Sequence, residues 1–409
     1  MGFSELRSFA GIRGGNAISP AGIVPRIAVP VPPMSAHDNP NPSDPPSPEV
    51  AADPGILRLR AVHRAMADLR RGTPVLLQGG PDQPDLVVLA ADTTAARGVA
   101  ELTGLAAGPP VLLLAPVRAA ALLRRPVPPD APAMALRTRL LLDAAVLRGM
   151  ADPTADQLLA DPPEPAPLPP LAGAAIALLK LARLLPAALV AAVRPDAGAQ
   201  AARLGLLAVP AADVLSHPDA ASAGLVRVAE ARVPLQDAPD ARVVAFRAPD
   251  AGIEHLAILV GKPEDGGAEA PLCRVHSECF TGDLLGSLRC DCGPQLHMAL
   301  QRMAAEGRGI GLSGKLRAYM LQDRGLDTLD ANRALGWNAD ERNFLIAATM
   351  LQELGIPRVR LLTNNPDKLA ALAACGVEIT GREPLVVPAN GVDDHYLATK
   401  ARRFGHLLE

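Results

Sequence analysis

Apolar residues recur at helical spacing over 57–70 (LRLRAVHRAMADLR): Leu59, Val62, Met66 and Leu69 share one face, and Arg71-Gly72 ends the run. Three short apolar runs follow, Pro74-Val75-Leu76-Leu77, Leu86–Ala91 and Pro110–Leu114, each read as a buried strand with helical segments between and after. A proline-rich interruption at 162–170 (PPEPAPLPP) precedes an Ala/Leu helix over 171–184, a strand over Ala187–Val193 and a short helix over Ala199–Leu207. A new unit begins near Val226. There Arg227–Pro234, Arg242–Phe246 and His255–Val260 read as antiparallel strands. Helices are expected at about 294–305, Lys315–Gln322 and 340–353, and a strand at Val359–Leu362. The pattern predicts an α+β (mixed α/β) protein of two domains, 56–225 and 226–409. Residues 1–55 read as a disordered Pro-rich tail, in which the run Asn39–Pro48 cannot bury enough apolar surface to fold.

Composition narrows this picture. The chain has 409 residues, room for two domains, and only 2% aromatics, so its cores must be aliphatic. A net charge of -3 and a pI of about 6.3 argue against a nucleic-acid partner. No stretch of eighteen apolar residues lacks a charge or proline, so no membrane span is expected. Residues 1–33 carry Arg7, Arg13 and Arg26, but Pro20, Pro25, Pro30, Pro32 and Pro33 interrupt any targeting pattern. A tail, or initiation at Met34, is the plainer reading. Five cysteines, odd in number and clustered, suit a reducing cytoplasm better than a disulfide framework.

Three of those cysteines carry the chemistry. Cys279, Cys290 and Cys292 are spaced C-x10-C-x-C. Three thiolates without an obvious fourth protein ligand suggest a zinc with one open tetrahedral position, where a water's pKa falls towards ~7. A closed four-cysteine site and three buried thiols are the alternatives. Cys273, at even spacing before Cys279 on the same expected strand, and Cys375 read as small buried hydrophobes.

The strings RVHSECFTGD, SLRCDCG, KLRAYMLQDRGLDTLDAN, ADERNF, LLTNNPDK and DDHYLATKARRFGHLL run in order through residues 226–409. This half resembles GTP cyclohydrolase II, which opens riboflavin biosynthesis. The resemblance implies a zinc- and magnesium-dependent homodimer that converts GTP to a diaminopyrimidinone nucleotide with release of formate and pyrophosphate. It implies Cys279, Cys290 and Cys292 as zinc ligands. It implies Arg274, Val275, His276, Ser277, Glu278, Gln295, Thr328, Thr363 and Lys368 as GTP contacts, and Tyr319 as an active-site residue. Asp340 matches the family's proton acceptor. Arg342 matches the arginine directed at the α-phosphate, for which electrostatic stabilisation is the conservative role.

The chain departs from the family in one place. The family carries two near-identical EGR stretches; here there is one, Glu306-Gly307-Arg308, with about eleven residues absent. Read back from Tyr319, Glu306 and Arg308 take the second, GTP-site place; read forward from Gln295, they take the first. Loss of a strand would deprive its neighbours of ladder partners. An active enzyme and an impaired zinc and nucleotide scaffold both follow as readings. Residues 56–225 faintly resemble 3,4-dihydroxy-2-butanone 4-phosphate synthase through Ala65–Gly72 and Ala208–Leu215. That enzyme's acidic magnesium loop is replaced by Gly79-Gly80-Pro81-Asp82-Gln83-Pro84-Asp85, too poor in oxygen ligands for a hard cation. A degenerate domain without synthase activity is expected.

Overall fold

The computed structural model describes residues 53–81, 83–128, 130–138, 141–155, 162–235, 238–248, 254–265, 269–277, 279–302, 304–307, 336, 344–387 and 391. The tail up to residue 52 and the helix expected at 315–322 lie outside them.

The first helix, α1 (Pro54–Arg70), starts three residues before the expected position, because Asp53 caps it. The Asp53 carboxylate accepts the Gly55 N–H at 2.8 Å, and Pro54 supplies a preset first-turn φ. There follow β1 (Val75–Gln78), β2 (Leu86–Ala90), α2 (Ala96–Leu105), β3 (Val111–Leu114), α3 (Pro116–Leu123), β4 (Met134–Arg137), α4 (Ala144–Ala151) and β5 (Glu164–Pro165). Then come α5 (Ala172–Leu181), β6 (Ala187–Ala192), α6 (Gly198–Arg203), β7 (Ala208–Pro210) and α7 (Ala211–Ala223). The strands form one sheet in the order β5-β4-β3-β6-β2-β1-β7, antiparallel except for the β1–β7 pair. Inside the proline-rich interruption, Glu164 and Pro165 extend the sheet edge, a place where a missing N–H is tolerated.

Alternation along the strands sends apolar side chains to both faces. Leu86, Val88 and Ala90 of β2 pack with α1, α5 and α7, while Val87 and Leu89 pack with α2, α3, α4 and α6. Burial on both faces explains why these strands read as continuous apolar runs rather than as an alternation.

The second half opens as a meander of β8 (Val226–Arg232), β9 (Ala241–Arg247) and β10 (Glu254–Val260). β8 is an exposed edge carrying an Arg227–Glu230–Arg242 charge ladder, the kind of strand that resists stray pairing. Next come β11 (Leu272–Cys273), β12 (Val275–Ser277), α8 (Cys292–Arg302), β13 (Ala304–Gly307), α9 (Phe344–Glu353), β14 (Arg358–Leu362), α10 (Pro366–Ala374) and β15 (Glu378–Glu383). They make a sheet β12-β13-β10-β9-β8 and a smaller parallel sheet β11-β14-β15. The helix expected over 294–305 stops at Arg302. Ala304 and Ala305 instead pair with Ile258 and Ala257, so the ladder overrides alanine's helical preference. β13 thus fills the slot between β10 and β12, and the sheet is continuous where a strand was expected to be missing.

Candidate metal centre and active site

The chain crosses from the small sheet to the large one at Arg274, between β11 and β12. This side chain is buried. Its guanidinium donates to Leu362 O at 3.2 Å and to Gln295 Oε1, and Gln295 Nε2 donates in turn to Asp291 Oδ2. Asp291, just before α8, is itself buried. A bonded line Asp291–Gln295–Arg274–Leu362 therefore ties the start of α8 to the end of β14. Two expected GTP contacts, Arg274 and Gln295, meet in it.

Cys279 follows β12 and leads into a short π-helical turn, Phe280–Leu284, while Cys290 and Cys292 stand at the start of α8. The three Sγ atoms lie within 4.8 Å of one another, and Cys279 and Cys290 are 3.9 Å apart. Tetrahedral zinc with Zn–S near 2.3 Å places two sulfurs about 3.8 Å apart, so the thiols fit the metal. Gly282 completes the fit. A Cβ there would lie 2.9 Å from Cys290 Sγ, 2.9 Å from Cys292 Cβ and 3.3 Å from Cys279 Sγ, so a bare glycine lets the turn lie against all three cysteines. Thr281 Oγ1, 3.6 Å from Cys279 Sγ, adds a polar neighbour. Among the described residues no other group of three could hold a metal.

Asp283 organises this centre and was not singled out from the sequence. Its Oδ2 accepts the Cys279 N–H at 2.8 Å and lies 2.9 Å from His276 Nε2. A carboxylate only accepts, so the His276 proton sits on Nε2. Its Oδ1 is buried without a hydrogen-bond partner among the described residues. The signal available in sequence was the fourfold step from Cys279 in the CFTGD string, which one turn brings back onto the cysteine's own N–H.

At the end of β14, Thr363, Asn364 and Asn365 are buried and bonded. Thr363 Oγ1 accepts the Asn365 N–H at 3.0 Å, Asn364 exchanges two bonds with the Leu385 backbone, and Asn365 caps α10 through the Asp367 N–H. Lys368 is half-buried in the first turn of that helix. Val275 packs its side chain in the core with Phe246 and Val359. Ser277 and Glu306 are placed by backbone alone, with Glu306 in register with His276 across the β12–β13 pair. Glu278, Arg308, Tyr319, Thr328, Asp340 and Arg342 lie outside the described residues.

Cys273 and Cys375 pack with the apolar core, as their reading as hydrophobes required. Burial pushes the Cys273 thiol up to about 12 and also raises that of Cys375. The strand break at Arg274 separates Cys273 from the cluster, so it supplies no fourth sulfur. In the first half, the loop compared with a magnesium site spends Asp85 on its own turn: Oδ1 accepts the Gly79 N–H at 2.9 Å.

The profile of GTP cyclohydrolase II matches residues 226–384. A GTP cyclohydrolase-2 of Azospirillum brasilense is 44% identical over 388 residues, covering 90% of this chain and 99% of that one. This chain belongs to the GTP cyclohydrolase II family. It is accordingly placed among the family's hydrolases, and the Azospirillum alignment reaches through both halves. The relative from Yersinia pseudotuberculosis, also named GTP cyclohydrolase-2, is 50% identical over 195 residues, 45% of this chain and 98% of its own. A solved two-domain 3,4-dihydroxy-2-butanone 4-phosphate synthase from A. baumannii covers 80% of this chain and 99% of its own at 17% identity. Its TM-score is 0.32, too loose a likeness to define a common fold. No helix among the described residues is long and apolar enough to cross a membrane.

Proposed function

We propose that this chain hydrolyses GTP to 2,5-diamino-6-(5-phospho-ribosylamino)pyrimidin-4-one with release of formate and pyrophosphate, using zinc on Cys279, Cys290 and Cys292 and magnesium for the pyrophosphate step. The observation that carries the reading is the trio of thiols gathered within 4.8 Å of one another, with Gly282 packed against the cysteines, in a member of this family. Bound there, zinc would supply an open coordination position that lowers the pKa of water. The protein's own groups do the rest. Asp283 fixes the Cys279 backbone and holds the His276 proton on Nε2, at the rim of the cluster. Arg274, oriented by Gln295 and Leu362, is a preorganised cation for the nucleotide's phosphates, since a fork already held in place loses little entropy on binding. The bonded Thr363–Asn365 turn and Lys368, at the start of α10, are read as further nucleotide contacts. By resemblance, Asp340 accepts a proton, Arg342 stabilises charge at the α-phosphate, and Tyr319, Thr328, Ser277, Glu278, Glu306 and Arg308 complete the site.

A homodimer in the cytoplasm is part of the same reading. Its support is a run of exposed apolar side chains, Phe280, Leu284, Leu285 and Leu288, around the metal-binding turn. Residues 56–225 are read as a structural module without synthase activity. Ribulose 5-phosphate turnover by the full chain would overturn that part.

A second reading, an impaired zinc and nucleotide scaffold, has its own observation. Glu306 and Gly307 of the sequence's one EGR tripeptide lie in β13, so the ladder uses residues of a string that the GTP site needs in the family. The Yersinia alignment supports the omission, since its 195 positions outnumber the residues in 45% of this chain by about eleven. Formate and pyrophosphate release by zinc-loaded protein with GTP and magnesium, with Cys290→Ser as control, separates the readings. Both products, lost in the control, support the enzyme; bound zinc without turnover supports the scaffold.

A further inference from the structure

Asp291 follows Cys290, precedes Cys292 and is buried. A carboxylate withdrawn from water needs donors in exchange. Gln295, one turn along α8, supplies one: its Nε2 donates to Asp291 Oδ2. The Gln295 backbone N–H donates to the Asp291 carbonyl at 2.9 Å, so the two residues are tied by side chain and main chain alike. The carboxylate only accepts, so it selects the NH2 end of the amide. That turns Oε1 to the Arg274 guanidinium, which only donates. A reversed amide would set N–H against guanidinium and oxygen against carboxylate, losing two bonds among groups withdrawn from water. Asp291 therefore decides which way Gln295 faces, and Gln295 decides what Arg274 meets.

Arg274 is held from its other side by Leu362 O at 3.2 Å, at the end of β14 and next to the Thr363–Asn365 turn. The line thus starts among the cysteines and ends among the expected nucleotide contacts. Its start is where a metal would act. Cys290 and Cys292 carry two of the three Sγ atoms that lie within 4.8 Å of one another. Thiols bond weakly to one another and thiolates repel, so a cation shared by them fixes the Asp291 backbone more firmly than the sulfurs can. Each later link is a directional bond between buried or half-buried groups, the kind of contiguous network through which two sites are coupled.

We propose that Asp291 is a positioning residue that links metal loading to nucleotide affinity: held between two cysteine ligands, it sets the Gln295 amide, and through it Arg274. This rests on the cysteine centre and on the nucleotide contacts proposed above for Arg274 and Gln295. The linkage is reciprocal, so zinc and nucleotide each tighten the other's binding by one factor. The test is calorimetric titration of a non-hydrolysable GTP analogue, with magnesium, into the full-length chain, zinc-loaded and zinc-stripped. Wild type is expected to bind about tenfold more tightly when loaded. Loaded Asp291→Ala is expected to bind like the stripped wild type, and stripping it should change little further. Asp291→Asn keeps an acceptor oxygen for Gln295 Nε2 and is expected to stay close to wild type, loaded or stripped. Equal affinity of loaded and stripped wild type, wild-type affinity in loaded Asp291→Ala, or an undiminished zinc dependence in that variant would overturn the inference. The last result would mean that the metal acts on the nucleotide directly. Should Asp291→Ala not hold zinc, Gln295→Leu breaks the line one link further on and must abolish the zinc dependence in the same way. A loaded wild-type chain that binds no guanine nucleotide refutes the functional reading instead. Zinc affinity then decides: Gln295→Leu, although it removes no ligand, must weaken it several-fold in competition with a chromophoric chelator, and an unchanged affinity would sever Gln295 from the centre.

Discussion

The two halves bury different things. In the first, nearly every buried side chain is aliphatic, stacked in two layers on either side of one sheet. In the second, Arg274, His276, Thr281, Asp291, Thr363, Asn364 and Asn365 are buried within one region, beside two of the three clustered cysteines. Withdrawing such groups from water costs several kcal/mol each unless bonds replace the lost hydration. The bonds between Arg274, Gln295 and Asp291, between His276 and Asp283, and between Asn364 and Leu385 supply that replacement. One half is held by its apolar pattern. The other accepts a polar interior, held by those bonds beside the cysteine cluster.

The contrast breaks most sharply at the cysteines. Cys290→Ser is expected to abolish zinc binding and GTP turnover while leaving the first half folded. Metal analysis, product release and far-UV circular dichroism check this together. Chelation of the wild type should do the same reversibly. Under it, Cys279, Cys290 and Cys292 should gain reactivity to a thiol reagent while Cys273, pushed up to about 12 by burial, stays unlabelled. Labelling of Cys273 at the rate of the cluster would contradict that division.

The next effect concerns a residue that ligates nothing. Asp283→Asn keeps the shape but weakens the acceptor shared by His276 and the Cys279 N–H. Partners behind metal ligands typically contribute about 10–100-fold to affinity, and a loss of that order is expected in competition with a chromophoric chelator. Unchanged affinity would reduce Asp283 to a packing role. The mirror experiment in the first half is Leu179→Ala in α5, a fully buried position. It should cost about 2–5 kcal/mol by denaturant titration and leave zinc content and kcat at 25 °C intact. A fall in zinc content would show that the halves do not fail separately.

How much of this could be read beforehand follows the same division. The helix face of Leu59, Val62, Met66 and Leu69 and the apolar runs of β1, β2, β3 and β6 were legible because an aliphatic core prints its period on the sequence. The cap at Asp53, the edge strand at Glu164 and the short β7 were not, since each depends on what it lies beside. In the second half, the cysteines were legible by spacing. Asp283 was hidden because its role comes from a π-helical turn that returns it to a backbone N–H. Ala304 and Ala305 were misread as helix because alanine has no strand signal of its own; their partners in β10 decide.

The smallest expected effect tests the junction between the halves. His217 on α7 lies with Nε2 3.0 Å from His63 Nε2 on α1, the rings edge to face at 75°. One ring must donate and the other accept, so the pair cannot carry a proton on all four nitrogens and keep this bond. Burial first, and then the neighbouring His63, lower the His217 pKa from 6.5 to about 4. In the unfolded chain it titrates near 6.5. Between those values the unfolded state binds the extra proton, so stability falls as pH falls through this window and is unaffected above it. The loss is at most about 3 kcal/mol, and less where water reaches the pair. His217→Leu removes the titrating group, so its Tm should decline less than that of the wild type between about pH 7 and 4.5. Parallel curves would remove the histidine pair from the account. Because α7 packs on both cores, a single cooperative acid transition for both halves would show them locked together, whereas early loss of the first half alone would show that they unfold separately.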